Sequence, residues 1–218
     1  MRLGVFGGTF NPIHLGHLRA AEEVAETLGL DRVVFIPAKR PPHKVGEAVA
    51  PAAFRMEVVQ RAVADNPRFR ASDLELLREG PSYSVDTLGQ LRAELGPEGE
   101  LWFLVGSDAF REIHTWHRYE QLFSLTDLAV MSRPPDGATP TLPPAVADSF
   151  VPERQGYRHR SGHRVRSVSV TLLDISSTSV RRALLGGRSI RYLVPDAVRP
   201  VLERAAADHP EWFAGSTA

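Results

Sequence analysis

The sequence predicts an α/β protein, and three observations support that prediction. Short apolar runs of strand length alternate with longer segments in which apolar residues recur every three or four positions. Glycines such as Gly29 and Gly96 end those longer segments, as they commonly end helices. One apolar run, 101–105, reads as a fully buried strand. We therefore expect a Rossmann-like, doubly wound parallel sheet of about five to six strands, with helices on both faces and a small C-terminal helical part.

The predicted elements follow one another regularly along the chain. The predicted strands are 3–6, 32–37, 69–76, 101–105, 128–131 and 168–173. Apolar residues at helical spacing place a helix after each of the first three strands, over about 18–28, 54–63 and 85–95. Two further helices, after Ser177 and after Pro195, form the predicted C-terminal helical part at 176–208.

Composition describes an ordinary globular chain. Its 218 residues suit one domain, 1–218, and its 26 basic and 26 acidic residues cancel. The net charge therefore does not favour a nucleic-acid or membrane partner, and any positive charge that binds phosphate must be local. The chain has no cysteine and no apolar run near ~20 residues, and its strand-like opening leads us to expect no signal peptide. We expect a cytoplasmic protein, and its sequence leaves open whether it forms a homo-oligomer.

The stretch 134–166 interrupts this alternation because it is rich in proline, glycine and charge. We interpret it as a surface excursion between the fifth and sixth strands. It is either a solvated loop or a lid that brings Arg158 or Arg160 to a phosphate. His159 and His163 within it are expected to be exposed.

The segment 7–18, GGTFNPIHLGHL, is the most informative part of the chain. It joins the first strand to the first helix, where Gly7 and Gly8 allow backbone amides to approach an anion closely. Two histidines, His14 and His17, lie on one face at the start of that helix. They could pack or cap the helix, or ligate zinc, but we favour hydrogen bonding to phosphate oxygens. Neither G-x-x-x-x-G-K-[ST] nor G-x-G-x-x-G is present, which disfavours both a P-loop NTPase and a dinucleotide-dependent oxidoreductase.

Two later segments are also compatible with phosphate binding. Lys44 follows two prolines shortly after the second strand and presents a compact charge, although such a residue is often only a solvated loop lysine. The segment 175–181, ISSTSVR, places four hydroxyls and Arg181 at a helix start. One hydroxyl would suffice for an N-cap, so the cluster indicates an anion site in addition to a cap.

Taken together, these motifs resemble those of the bacterial nicotinate-nucleotide adenylyltransferases, which belong to the class I-like nucleotidylyltransferases with an H-x-G-H motif. The matching segments are GGTFNPIHLGH at 7–17, PPHK at 41–44, PSYS at 81–84, GSD at 106–108 followed by Trp116, and ISSTSVR at 175–181. They occur in the family's order over residues 1 to about 205. Asn11 stands where members often have Asp, and Ser84 where many have Thr.

The resemblance implies a role for each matching residue. Residues implied at ATP are Gly7, Gly8, Thr9, Phe10, His17, Gly106, Asp108, Ser176, Thr178 and Arg181. Residues implied at the reacting phosphates are His14, His17, Lys44 and Arg181. Those implied at the acceptor are Tyr83 and Ser84, at a helix start that would receive a carboxylate, and Trp116, which would stack on a pyridine ring or otherwise be structural.

The activity implied by the resemblance is adenylyl transfer from ATP to nicotinate mononucleotide in NAD biosynthesis, giving deamido-NAD and pyrophosphate. Mg²⁺ is expected to arrive with ATP. The alternatives are nicotinamide mononucleotide or both nucleotides as acceptor, a pantetheine-phosphate adenylyltransferase, and a nucleotide-binding module without catalysis.

Overall fold

Eight strands form one sheet in the computed structural model, which describes residues 1–40, 48–132 and 139–214. The order across the sheet is β3-β2-β1-β4-β5-β8-β7-β6. The strands are β1 (Arg2–Gly8), β2 (Arg32–Pro37), β3 (Phe69–Ala71), β4 (Glu100–Gly106), β5 (Asp127–Ser132), β6 (Phe150–Glu153), β7 (Gly156–His159) and β8 (Arg164–Ser169). The order reverses between β1 and β4, as in doubly wound sheets, so the predicted α/β, Rossmann-like architecture is confirmed.

The described helices lie between and after these strands. They are α1 (Leu15–Leu28), α2 (Ala52–Val63), α3 (Ser84–Leu95), α4 (Ser107–Arg111), α5 (Tyr119–Leu125), α6 (Ser177–Leu185) and α7 (Arg199–Asp208). The apolar face of α1 is buried through Ala21, Val24 and Leu28, and the helix ends before Gly29, which has a φ of 62°. Among the described residues, no helix is both long and apolar enough to cross a bilayer.

One of two units contains the described parts of 1–6, 20–34 and 83–172. Its parallel strands pair in register, with Leu3 opposite Leu101, Val105 opposite Val130, and Leu128 opposite Val165. The central strands β4 and β5 are buried along nearly their whole length. Such doubly covered strands explain why uniformly apolar runs were sufficient to predict them.

The predicted count of five to six strands is wrong, because β6 and β7 add an antiparallel hairpin within 134–166. Gly156 begins β7 with a φ of 147°, and a Cβ there would lie 1.9 Å from the Val165 carbonyl oxygen. Only glycine permits β7 to approach β8 this closely. The predicted strand 168–173 is shifted, since β8 runs over Arg164–Ser169, and the third strand ends at Ala71.

His159 corrects a second expectation in this stretch. It is only 7% exposed and lies in β7 against Phe123 and Phe150, with ring centroids 5.6 and 4.9 Å away. Its Nδ1 is 2.8 Å from the Ser161 hydroxyl, which donates to the Phe123 carbonyl. His159 is therefore a core residue of the hairpin, whereas His163 is half-buried.

The other unit contains the described parts of 7–19, 35–82 and 173–214. It includes α2, β3, α6, α7 and the loop after β1. Phe54 of α2 contacts Trp212 and Phe213, with ring centroids 5.2 and 6.4 Å away. Phe213 is 1% exposed, so the last described residues contribute to this unit's core.

Candidate active site

The loop that follows β1 is held by the side chain of Phe10. Phe10 is 3% exposed, and its ring packs against Phe35 and His17 at centroid distances of 6.0 and 5.3 Å. Its φ of 45° lies in the left-handed region, which bulky residues avoid. The aromatic side chain therefore anchors the loop, and any contact of Phe10 with a phosphate must come from its backbone.

The two histidines form a stacked pair at the start of α1. Their ring centroids are 3.7 Å apart with an interplanar angle of 32°. The backbone N–H of His14 donates to Nδ1 of His17 over 3.3 Å. An accepting Nδ1 has no proton, so the neutral His17 ring has its hydrogen on Nε2, which is a donor. His14 is buried and His17 is half-buried, so His17 is the more accessible of the two imidazoles.

Gly16 makes room for this pair. A Cβ at Gly16 would lie 3.0 and 3.2 Å from two atoms of the His14 ring and 3.6 Å from the Ile175 carbonyl oxygen. The first N–H of α1, that of Leu15, donates to the Leu193 carbonyl over 2.9 Å. The start of α1 is thus fixed by residues that come from the C-terminal part of the chain.

The hydroxyl cluster at the start of α6 is divided between capping and tethering. Ser176 and Ser179 form a reciprocal capping box, with both bonds 3.0 Å long. Ser177 donates its hydroxyl to the Pro12 carbonyl over 2.9 Å. Two of the four hydroxyls therefore cap the helix and a third ties it to the loop after β1, and the anion site inferred from the cluster stays a prediction.

Arg181 makes the second tether. Its Nη1 donates to the Asn11 carbonyl over 2.8 Å, and its Nη2 donates to the Thr178 hydroxyl over 3.3 Å. A guanidinium and the positive end of a nine-residue helix are therefore fixed beside the loop that precedes the histidine pair. This arrangement is suited to a polyphosphate anion.

The residues expected at the acceptor lie in the unit that contains 83–172. Tyr83 precedes α3, and its ring stacks on the exposed ring of His117 at 4.1 Å and 27°. Trp116 is half-buried, with its ring 6.0 Å from Phe103 in an edge-on arrangement. Ser84 is the first residue of α3, and a helix N-terminus favours an anionic group such as a carboxylate.

Gly106 and Asp108 lie at the end of β4 and the start of α4. The Asp108 side chain is 87% exposed and forms an ion pair with Arg111. Lys44 and the rest of the PPHK segment fall outside the described residues.

Residues 5–183 match the model of the cytidylyltransferase-like family. A probable nicotinate-nucleotide adenylyltransferase of Citrifermentans bemidjiense is 51% identical over 205 residues, covering 91% of this chain and 94% of the relative. One of Trichlorobacter lovleyi is 48% identical over 96% of this chain and all of the relative.

This chain belongs to the nicotinate-nucleotide adenylyltransferase family.

The fold of the family is also found among solved structures. A Plasmodium falciparum nicotinic acid mononucleotide adenylyltransferase, complexed with NaAD, superposes with a TM-score of 0.69 over 97% of each chain at 15% identity. A putative nicotinate-nucleotide adenylyltransferase of Vibrio parahaemolyticus gives 0.60 over 92% of this chain at 19% identity. At these identities, the similarity concerns the fold alone.

Within this nicotinate-nucleotide adenylyltransferase fold, one unit brings together the loop residues 7–12, the histidine pair and Arg181. Arg55 was not predicted as a site residue, yet it is 2% exposed and donates to the Thr9 carbonyl over 2.7 Å. Its signal is an arginine at a position that helical spacing places on the buried stripe with Val59 and Ala62.

Proposed function

We propose that the chain transfers the adenylyl group of ATP to nicotinate mononucleotide, giving deamido-NAD and pyrophosphate. Membership in the nicotinate-nucleotide adenylyltransferase family makes it a nucleotidyltransferase of NAD biosynthesis. The observation that supports the chemistry is the tethering of Arg181 and the α6 terminus to the carbonyls of Asn11 and Pro12, directly before the histidine pair. The two substrates and the role of each residue are part of the proposal.

In the proposed reaction, the 5′-phosphate of the acceptor attacks the α-phosphorus of ATP and pyrophosphate leaves. A phosphate monoester is already ionised near pH 7, so no general base is required. Catalysis then depends on alignment and on neutralisation of charge in the transition state. His17 donates from Nε2 to a phosphate oxygen, and Arg181 with the α6 terminus binds the phosphate tail. His14, mostly buried, holds the His17 ring through its backbone N–H and through stacking.

Further contacts to ATP complete the proposal. Backbone groups of 7–10 and the residues Ser176 and Thr178 line the phosphates, Gly106 and Asp108 line the nucleotide, and Lys44 assists at the phosphates. Ser176 acts through its hydroxyl, which accepts from the Ser179 N–H and has its own hydrogen to donate, because its backbone N–H already donates to the Ser179 hydroxyl.

The acceptor would be recognised by two features of the other unit. The N-terminus of α3, at Tyr83 and Ser84, would receive the nicotinate carboxylate without a formal cation. The indole of Trp116 would stack on the pyridine ring. A carboxamide lacks the charge that the helix terminus favours, so we propose the acid as the preferred acceptor.

Mg²⁺ is proposed to arrive bound to ATP. Among the described residues, there is no cluster of three histidine or acidic side chains able to hold a metal. An ion held mainly by the phosphate oxygens of ATP would neutralise phosphate charge. The residues named above perform the binding and alignment.

An acceptor panel tests the proposal. Purified protein is incubated with ATP and Mg²⁺ plus nicotinate mononucleotide, nicotinamide mononucleotide or phosphopantetheine, and dinucleotide and pyrophosphate are measured together. We expect kcat/KM to be highest for nicotinate mononucleotide, with one pyrophosphate for each deamido-NAD. Equal or higher kcat/KM for the amide would show the rival acceptor, and release of no pyrophosphate with any acceptor would support a binding module.

A further inference from the structure

Arg55 is among the largest fully buried side chains that the structure describes. It lies in the first turn of α2 and is 2% exposed. Its neighbours on the helix's buried face, Met56, Val59 and Ala62, are apolar. A buried charge is costly, and a well-packed apolar side chain often gives equal stability. Its presence therefore requires an explanation other than core packing.

All three guanidinium nitrogens donate to backbone carbonyls. Nε donates to Ala50 over 2.8 Å, Nη1 to Thr9 over 2.7 Å, and Nη2 to Ala38 over 2.7 Å. Burial lowers the pKa of Arg55 to about 10, and the negative charge of Glu75 acts in the opposite direction. Arg55 therefore remains protonated at pH 7, and each of its bonds is charge-assisted.

The three carbonyls come from three separate segments of the chain. Thr9 lies in the loop after β1, Ala38 directly follows β2, and Ala50 lies just before α2. A planar guanidinium directs its donors in fixed directions, which a lysine ammonium does not. Ala38 and Ala50 also bracket the stretch of sequence that contains Lys44. One side chain thus fixes the loop after β1, the residue that follows β2 and the residues before α2. The proposed function assigns the first of these segments to phosphate binding, and the other two flank the sequence that contains Lys44.

The bond to Thr9 also orients the next peptide group. In a trans peptide, the carbonyl and the following N–H point in opposite directions. Holding the Thr9 carbonyl on Arg55 therefore directs the Phe10 N–H away from Arg55 and helps to hold Phe10 at its φ of 45°. The same rule holds at Ala38, where the following N–H, that of Lys39, donates to the Ser82 hydroxyl over 2.9 Å.

We infer that Arg55 is a positioning residue for ATP, acting through the Thr9–Phe10 peptide. This inference rests on the proposed function, because it assigns Arg55 to the nucleotide side of that reaction. It predicts a loss in the use of ATP that exceeds any loss in the use of the acceptor.

The test compares R55K and R55Q with R61K and R61Q. Arg61 lies on the same helix, and its half-exposed side chain pairs with Glu57, so it is a matched control. We expect R55K to lower kcat/KM for ATP by about 10- to 100-fold. The KM for nicotinate mononucleotide at saturating ATP should change less than about twofold, and the Arg61 variants should behave as wild type. A merely structural arginine would lower Tm and leave both kinetic constants of the folded enzyme unchanged.

A second measurement covers variants of reduced stability. The rise in Tm caused by saturating ATP needs only a protein that folds at low temperature. A smaller rise in R55K and R55Q than in wild type supports the inference, and an equal rise overturns it. Loss of folding in both variants at 10 °C would also overturn it, because Arg55 would then be a folding residue. If wild-type protein makes no deamido-NAD, the proposed function is wrong. The inference about Arg55 is then still tested by comparing the ATP-induced rise in Tm between wild type and the Arg55 variants.

Discussion

Replacing Gly16 with alanine tests whether the spacing of the histidine pair matters for chemistry. The added Cβ would lie 3.0 Å from Nδ1 and 3.2 Å from Cε1 of His14, so the ring must retreat by a few tenths of an ångström. The His14 ring stacks on that of His17 with centroids 3.7 Å apart. The displacement is therefore passed to the imidazole that we assign to the reacting phosphate.

The magnitude follows from two opposing effects. A misplacement of about 1 Å can reduce a rate by about 100-fold, so a shift of a fraction of that should lower kcat by about tenfold. Alanine in place of a helical glycine gains up to about 1 kcal/mol, and the crowded contact offsets part of that gain. We therefore expect G16A to have nearly wild-type Tm and a reduced kcat.

Gly89 supplies the control, since it lies inside α3 and a Cβ there would meet nothing within 4 Å. G89A should be stabilised by about 0.5–1 kcal/mol, which raises Tm by a few degrees, with unchanged kinetics. Steady-state rates of pyrophosphate release and thermal melts are measured for both variants. Wild-type kcat and KM in G16A would refute the reasoning, because the imidazole pair would then tolerate displacement.

Three further predictions concern the same molecule. H17A should lower kcat by about 100-fold at little cost in Tm. The control is H209A, which removes a ring that stacks on Trp212 and should leave kcat unchanged. Near-normal turnover in H17A would exclude the proposed role of His17. Burial raises the pKa of the Asp127 carboxyl, but hydrogen bonds from His163 and Arg164 outweigh it and leave the pKa below its usual value. The stabilisation is therefore present above about pH 4 and lost as pH falls through the lowered pKa. D127N should thus melt below wild type at pH 7, and melts from pH 7 to pH 3 should converge; a constant difference would contradict the linkage. Chelation by EDTA should stop adenylyl transfer and leave the Tm of nucleotide-free protein unchanged, and a fall in Tm would reveal a resident ion that contradicts the proposed route of Mg²⁺.

The sequence was most informative where local pattern and burial agree. Strands β1, β2, β4 and β5 are apolar runs in the middle of the sheet, so their types were predictable from composition alone. The family resemblance, based on ordered motifs, is confirmed by relatives of about 50% identity. The roles of the site residues and the single domain 1–218 stay predictions.

The β6–β7 hairpin could not be read from the sequence because its strands are four residues long and lie at the edge of the sheet. Exposed edge positions do not require apolar side chains, and Pro152 and Gly156 are residues that otherwise indicate a loop. His159 was misassigned for the same reason, since only the pairing of β7 reveals its buried neighbours. Arg55 escaped notice because charge usually marks an exposed position.

The tethers from α6 have a consequence for the synthesis of the protein. Ser177 and Arg181 reach back over 165 and 170 residues to carbonyls near the start of the chain. During synthesis, this loop therefore leaves the ribosome long before Ser177 and Arg181, and its hydrogen bonds to them close only after those residues have been added. A polypeptide that terminates before Ser177 would lack both tethers to that loop and would therefore be inactive.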